Sequence, residues 1–569
     1  VRIKNIPFTG QVLFLLAIRL RWSLIRSSDV VRYSRVKNQG RPEVMNSARS
    51  LMSKRQEQLE AVVVTAEQMR QIEGRIFAAG MPVAALMEKA AGLTASRIQA
   101  LYPRSQVSQV GILVGPGHNG GDALVIAREL HWQGYQVSLY RPFSKLKDLT
   151  AQHAQYVESL GIPAHDEIEP LQNCDLVVDG LFGFGLERSL SEPVAGAIAQ
   201  LNQWAQPVVS VDIPSGLHTD TGAVLGTAVR ATRTFCLGLW KLGFFQDAAL
   251  EYLGTAERID FGIPLSDVWA VLSHPAPIQQ VTPAIAKQSL PLPRPPVTHK
   301  YQQGHLLLIC GSRRYAGGAI LTGLGARASG VGMLSIAVPE SLKPLLVSHL
   351  PEALIIGTQE TESGAIAQLP PLAADFSRYT AIACGPGLTL DATASVQAVL
   401  SADCPLLLDA DGLNLLAQLG TLSSLSQRRS ATVLTPHLGE FKRLFPELSH
   451  PSCDRIGAVQ TAAQASGAIV LLKGARTAIA NPHGSVWLIG ASTPALARGG
   501  SGDVLTGLVG GLMAQANPLE QPLEAVVATG AWWHAQAGIL AAQERTELGV
   551  DAFTLSQSLS RALQPLSVA

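Results

Sequence analysis

The stretch Gly111-Ile-Leu-Val-Gly-Pro-Gly-His-Asn-Gly-Gly-Asp122 begins as an apolar run and ends in a glycine-rich turn, and Ala123–Leu130 after it reads as a helix. A strand entering a helix through stacked glycines turns several backbone amides toward one point, which suits an anion. Gly115, Gly117 and Gly120 also satisfy G-x-G-x-x-G, so an ordinary dinucleotide site is the alternative reading. Against it, Pro116 stiffens the loop and the next strand ends at Arg141, where a ribose-binding acid is expected. The asparagine and aspartate inside the turn therefore carry more information than its glycines.

On either side of this turn the same alternation repeats. Helical text covers Thr65–Ala79 and Ala84–Ala100, and apolar runs at Val137–Tyr140, Leu176–Val178, Val208–Val211 and Thr234–Leu237 predict further buried strands. Together they predict an α/β domain over residues 61–270, a Rossmann-like, doubly wound parallel sheet. Eight prolines between Pro264 and Pro296 remove ladder donors, so residues 271–296 are expected to be a Pro-rich linker without regular structure. Beyond it the runs His305–Cys310, Met333–Val338, Ala381–Cys384, Leu406–Leu408, Thr432–Leu434, Ile469–Leu472 and Val486–Ile489 predict a second, larger doubly wound α/β sheet over residues 297–566.

Composition bounds the function. In 569 residues, 47% hydrophobic and 15% charged content excludes a disordered chain, and 5% aromatic content argues against stacking platforms for nucleic acid. Residues 1–60 hold 12 Lys/Arg against 4 Asp/Glu, which leaves 32 against 39 for the remainder, so no basic footprint survives outside that tail. The tail is expected to be a disordered extension or the product of a start placed too far upstream, with a targeting segment as the alternative. Its longest apolar run, Val12–Ile18, is too short to span a membrane. Six scattered cysteines without C-x-x-C spacing argue against zinc and against a disulfide framework, and a cytoplasmic setting follows.

Two more strands of the first domain end in acids. Leu176-Val-Val-Asp179 runs into Gly180-Leu-Phe-Gly-Phe-Gly185, and Val208-Val-Ser-Val-Asp212 runs into Ile213-Pro-Ser-Gly216. Because ligands of parallel sheets bind beyond the strand C-termini, Asp122, Asp179 and Asp212 are expected to converge. In the second domain, Ala497-Arg-Gly-Gly-Ser-Gly-Asp503 precedes a helix predicted over Val504–Ala514, an arrangement that stabilises charge on a transferring phosphoryl group. Asp503 at its mouth can take a proton from a substrate hydroxyl. Ala383-Cys-Gly-Pro-Gly387, Leu408-Asp409-Ala-Asp411, Leu434-Thr-Pro-His437 and Leu472-Lys473-Gly-Ala-Arg-Thr477 lie at successive strand ends around it.

The first set of motifs resembles the N-terminal YjeF domain, the NAD(P)H-hydrate epimerase family, over roughly residues 61–270. The resemblance implies that His118, Asn119, Gly120, Gly121 and Asp122, the loop Gly183, Phe184, Gly185, Leu186, Glu187, Arg188 and Ser189, and Asp212 line the substrate. It further implies that Asp212 is catalytic and that Asn119, Asp179 and Ser215 hold potassium. His118 replaces the family's first Asn, Ala123 its last Gly, and Phe184 a common Thr.

The second set resembles the ribokinase-like C-terminal YjeF domain, the ADP- or ATP-dependent NAD(P)H-hydrate dehydratase. It implies substrate contacts at Ala319, Gly387, His437 and catalytic Asp503. Lys473, Gly474, Ala475, Arg476 and Thr477, with Gly500, Ser501 and Gly502, fall on the nucleotide side, with magnesium accompanying ADP or ATP. Both together imply a bifunctional isomerase and lyase that repairs hydrated NADH and NADPH. Its expected ligands are NAD(P)H hydrates and ADP or ATP, with no nucleic acid, no membrane, and a homo-oligomeric state. The alternatives are a vitamin-type kinase fused to a dinucleotide-binding module and a noncatalytic binding scaffold.

Overall fold

Each apolar run read as a strand is a strand in the computed structural model, which describes residues 53–448, 454–516, 519 and 521–564. In chain order the first half carries β1 (Val63–Val64), β2 (Gln109–Val114), β3 (Gln136–Tyr140), β4 (Ala164–His165), β5 (Leu176–Gly180), β6 (Val208–Val211), β7 (Arg233–Leu237), β8 (Trp240–Lys241) and β9 (Thr255–Ile259). Seven of these form an all-parallel sheet ordered β4-β3-β2-β5-β6-β7-β9. Its winding reverses between β2 and β5, which opens a crevice beyond their C-terminal ends. β1 and β8 pair separately as a short parallel ribbon.

The second half carries β10 (Ile278–Gln280), β11 (His305–Ile309), β12 (Met333–Pro339), β13 (Leu354–Glu360), β14 (Ile366–Gln368), β15 (Ala381–Cys384), β16 (Leu406–Leu408), β17 (Thr432–Leu434), β18 (Ile469–Leu472), β19 (Ala478–Ala480) and β20 (Val486–Leu488). They form one sheet, ordered β10-β20-β19-β18-β17-β16-β15-β11-β12-β13-β14, parallel except at β18-β19-β20 and β13-β14. Leu306 and Leu308 face one apolar layer and Leu307 and Ile309 the other, so both faces are covered and the strands are apolar throughout.

Three expectations are corrected. The Pro-rich stretch 271–296 is not free of regular structure: β10 pairs with β20, and the helix Pro283–Ser289 follows it. Pro283 sits at the first helical position, where its missing N–H costs nothing, and Val281, Ala286 and Leu290 are buried against the second sheet's outer layer. The last part of each glycine-rich turn is already helical: the helices run over His118–Trp132 and Ser501–Ala516 and start earlier than predicted, and in the first of them Gly120 lets the first turn approach the Gly115 backbone. Residues 53–61 are helical, with Leu59 and Ala61 buried. Residues 1–52 of the expected extension, Cys453, and positions 565 and 566 of the expected second domain lie outside the described residues.

The two sheets belong to one compact body, in which Val62 bridges to Gln279 and the Gln280 side chain donates to the Glu60 carbonyl at 2.7 Å. Cys174, Cys236, Cys310, Cys384 and Cys404 are buried free thiols. Among the described residues no helix is long and apolar enough to cross a membrane.

Candidate active sites

At the end of β6 the chain turns through Asp212 with φ 71°, a left-handed conformation that a non-glycine residue adopts at a cost of roughly 1–3 kcal/mol. Its surroundings hold it there. The Asp212 N–H donates to the Phe235 carbonyl at 2.8 Å, Oδ2 accepts from the Phe184 N–H at 2.8 Å, and Oδ1 accepts from the Lys241 ammonium at 2.6 Å. Lys241, from β8, is fully buried, and its Nζ lies 5.5 Å from the Phe184 ring centre. Burial works against that ammonium, but Asp212, Cys236 and Glu73 together outweigh it and hold the lysine above its ordinary range.

Asp212 opens onto a cavity of about 880 Å³ at the switch point of the first sheet. His118, Asn119, Asp122 and the run Gly183–Arg188 line it as expected. Gly120 and Gly121 do not, because they pack against the Gly115 backbone and Met87, and Ser189 is an exposed residue outside the lining. Of the three expected acids, Asp122 and Asp212 meet in the cavity while Asp179 lies buried beneath its floor. Burial, with the charges of Asp212 and Glu73, pushes the Asp122 carboxyl well above the usual range. Glu73, from the helix Ala66–Ala78, also lines the cavity and is pushed up to about 7, chiefly by burial.

The oxygens assigned to potassium gather under the loop that follows β5. Ser215 Oγ lies 2.6 Å from Asp179 Oδ1 and 3.2 Å from the Phe182 carbonyl oxygen, and Asn119 Nδ2 is buried without a hydrogen-bond partner. Burial raises the Asp179 carboxyl despite hydrogen bonds from Ser215, Ser210 and the Leu181 N–H. The carboxylate, hydroxyl and carbonyl oxygens, with no thiolate or imidazole, are hard donors of the kind that suits a monovalent cation; the unsatisfied Asn119 atom is an N–H donor and adds nothing to that set.

The second site repeats the scheme. Asp409, one residue past β16, is buried; its Oδ1 accepts from Lys473 Nζ and its Oδ2 from Thr506 Oγ1, each at 2.6 Å. Burial lowers the Lys473 ammonium, but Asp409 and Glu440 outweigh it and raise the group above its usual range. Gly385 has φ 139°, and a Cβ there would lie 1.7 Å from the Asp409 carbonyl oxygen, so this turn admits glycine alone. A cleft of about 740 Å³ is lined by Gly387, Gly500 and Asp503, with Tyr315, Gly318 and Asp411. Burial, reinforced by Asp409, pushes Asp503 up to about 6.

Not every expected contact reaches this cleft. Ala319 is buried against Gly311, and His437 caps the helix Leu438–Leu444, its Nδ1 accepting from the Gly439 N–H at 2.9 Å. Lys473 approaches Gly502, and Thr477 Oγ1 closes the loop onto the Gly474 carbonyl at 3.2 Å. Ser501 is buried, its carbonyl 3.0 Å from His534 Nε2. Sequence reasoning missed Glu73, Lys241, Thr506 and His534. The one signal for Lys241 was a lone lysine inside Leu239-Trp-Lys-Leu-Gly-Phe-Phe245; for Thr506, it was a position one turn after Asp503.

Two open sheets, each with a cavity beyond its strand ends and an acid–lysine pair beside it, define a two-site α/β enzyme. A family model described as NAD(P)H-hydrate dehydratase matches residues 306–561, and one described as YjeF-related protein N-terminus matches residues 83–243. The bifunctional NAD(P)H-hydrate repair enzyme Nnr of Synechocystis sp. is 58% identical over 497 residues, covering 87% of this chain and 94% of the relative. That of Salinibacter ruber is 36% identical over 79% of this chain and 88% of its own length. A solved ADP/ATP-dependent NAD(P)H-hydrate dehydratase from Bacillus subtilis, co-crystallised with ATP/Mg2+, is 31% identical with TM-score 0.42, covering 50% of this chain and 97% of that one. The chain belongs to the bifunctional NAD(P)H-hydrate repair enzyme family.

Proposed function

We propose that the first cavity interconverts the R and S forms of NAD(P)H hydrate and that the second cleft dehydrates the S form to NAD(P)H at the expense of ADP or ATP. In the hydrate, water has added across the 5,6 bond of the reduced ring and left a hydroxyl at C6, beside the ring nitrogen. The nitrogen lone pair helps the C6–O bond open, and closing it on the opposite face inverts the centre. Asp212, paired with Lys241, takes and returns the proton, while Asp122 and Glu73, biased toward their acid forms, protonate the departing hydroxyl. Asn119, Asp179 and Ser215 would hold potassium, which supplies positive charge near the substrate when bound.

In the second cleft Asp503 accepts the proton of the C6 hydroxyl as that oxygen takes the phosphoryl group, and amides at the start of the helix Ser501–Ala516 face the developing charge. The ring nitrogen then expels phosphate, and loss of a C5 proton restores the double bond. Lys473–Thr477 and Gly500–Gly502 serve the nucleotide, which magnesium accompanies. Ala319, Gly387 and His437 stay assigned to the substrate side, Ala319 and His437 through the helix starts they support. A first domain over 61–270, a second domain that takes in β10 and the helix Pro283–Ser289 together with 297–566, and a cytoplasmic homo-oligomer complete the proposal.

The observation that carries this reading is the acid–lysine pair at one strand end of each sheet, Asp212 with Lys241 and Asp409 with Lys473, both at 2.6 Å. The test supplies NADH hydrate with ADP or ATP and follows recovery of the reduced ring's absorbance. Asp212→Asn should abolish epimerisation and spare S-hydrate dehydration; Asp503→Asn should cost about 10²–10⁴-fold in dehydration and spare epimerisation. Loss of both activities in either folded variant would refute the two-site assignment.

A further inference from the structure

We infer that the first half of the chain completes the nucleotide side of the second site, with Asp247 as the positioning residue of the loop Lys473–Thr477. The inference rests on the assignment of that loop to the nucleotide. Asp247 opens a 3₁₀ turn, Asp247–Ala249, six residues after Lys241. Its two oxygens are divided between two targets: Oδ1 accepts from the Arg476 N–H at 3.0 Å and Oδ2 from Arg455 Nη2 at 2.7 Å.

Arg455, buried at the start of the helix Arg455–Ser466, in turn donates through Nη1 to the carbonyls of Leu472 and Lys473 at 3.2 and 3.3 Å. The loop is thus gripped at both ends, at the Lys473 carbonyl and the Arg476 amide, by groups converging on one carboxylate. Between them stand Gly474 and Ala475, which have no polar side chain to define the loop's shape. A Cβ on Gly474 would lie 2.0 Å from Arg455 Nη2, so the guanidinium occupies the space a side chain would take.

Two neighbours tighten the same contact. Gln246 Oε1 accepts from the Arg455 N–H at 3.2 Å, its Nε2 donates to Asp454 Oδ1 at 3.2 Å, and the Phe244 carbonyl accepts from Arg476 Nε at 3.4 Å. Simple adhesion between the two halves would need none of this convergence on backbone groups of one loop. A loop that must present Lys473 and its own amides to phosphates gains from being held before the nucleotide arrives, because ordering it on binding would weaken affinity.

The test uses the full chain. Asp247→Ala should raise KM for ATP about tenfold, as expected for loss of charge-assisted hydrogen bonds that shape a site, while epimerase turnover and KM for the hydrate stay unchanged. Asp247→Asn, which keeps an acceptor for the Arg476 N–H, should recover most of the nucleotide affinity; it also reads the effect should the alanine variant not fold. Lys473→Ala is the control. If it raises KM for ATP while neither Asp247 variant does, the positioning role is wrong and the loop's assignment stands. If Lys473→Ala leaves KM for ATP unchanged, the loop does not serve the nucleotide and both readings fall. Parallel losses of epimerase and dehydratase activity in the Asp247 variants reduce the contact to a structural brace and overturn the inference.

Discussion

Asp503 in the second cleft and Glu73 in the first cavity are proposed to need opposite protonation states. In the proposed roles Asp503, as a base, must be ionised, yet burial and Asp409 push it up to about 6; Glu73, as an acid, must be protonated, and burial pushes it up to about 7. Dehydratase kcat/KM should therefore fall on the acid side, about tenfold per pH unit below about 6, whereas epimerase kcat/KM should fall on the alkaline side, above about 7. Separate assays across that range check both slopes, and Glu73→Gln should remove the alkaline one if Glu73 is the acid. Two limbs of the same sign would contradict these roles. At this scale Asp179 and Asp212 were legible because each ends an apolar run beside glycines, and Asp122 and Asp503 because each closes a glycine-rich turn. Lys241 and Glu73 were not, since a lysine in an apolar stretch and a glutamate on a helix acquire meaning only when a distant strand end faces them.

Among the elements, the turn after β15 tolerates little change. A side chain on Gly385 would collide with the Asp409 carbonyl in a backbone conformation that other residues resist. Gly385→Ala should displace Asp409, disturb its pair with Lys473, and destabilise the second half by about 1–3 kcal/mol or more, with dehydratase activity lost and epimerase activity kept. Thermal denaturation together with the two assays checks this; unchanged dehydratase turnover would refute it. The central strands were legible as apolar runs, β16 and β17 even at three residues. The short β1, β4, β8, β10, β14 and β19 were not, nor were β9 and β13, whose runs Thr255-Ala-Glu-Arg-Ile259 and Leu354-Ile-Ile-Gly-Thr-Gln-Glu360 mix charged or polar residues into the apolar pattern. Helix starts were misplaced because glycine normally signals a break, while here it admits a neighbouring backbone.

Across the whole molecule, the proline-dense stretch changes sides, from a presumed spacer to a working edge of the second sheet. Burial of Val281, Ala286 and Leu290 contributes roughly 1.5–3 kcal/mol for each large side chain. A fragment of residues 275–564 should therefore melt well above one of residues 297–564, by roughly 2–4 °C for each kcal/mol lost. Equal midpoints would restore the stretch to a passive tether. Proline count misled here because what matters is whether each ring falls at a ladder position, and that depends on the partner strand. The buried thiols have a consequence of another kind. Burial pushes Cys174, Cys236 and Cys404 up to about 11 and Cys384 up to about 12, so at neutral pH almost no reactive thiolate is present at any of them. An alkylating probe can mark them only when the surrounding structure opens. Cys174 and Cys236 sit in the first half and Cys384 and Cys404 in the second, so peptide-resolved labelling against time turns the protein into its own clock, timing the breathing of each half in the intact chain and showing whether bound nucleotide slows one half or both.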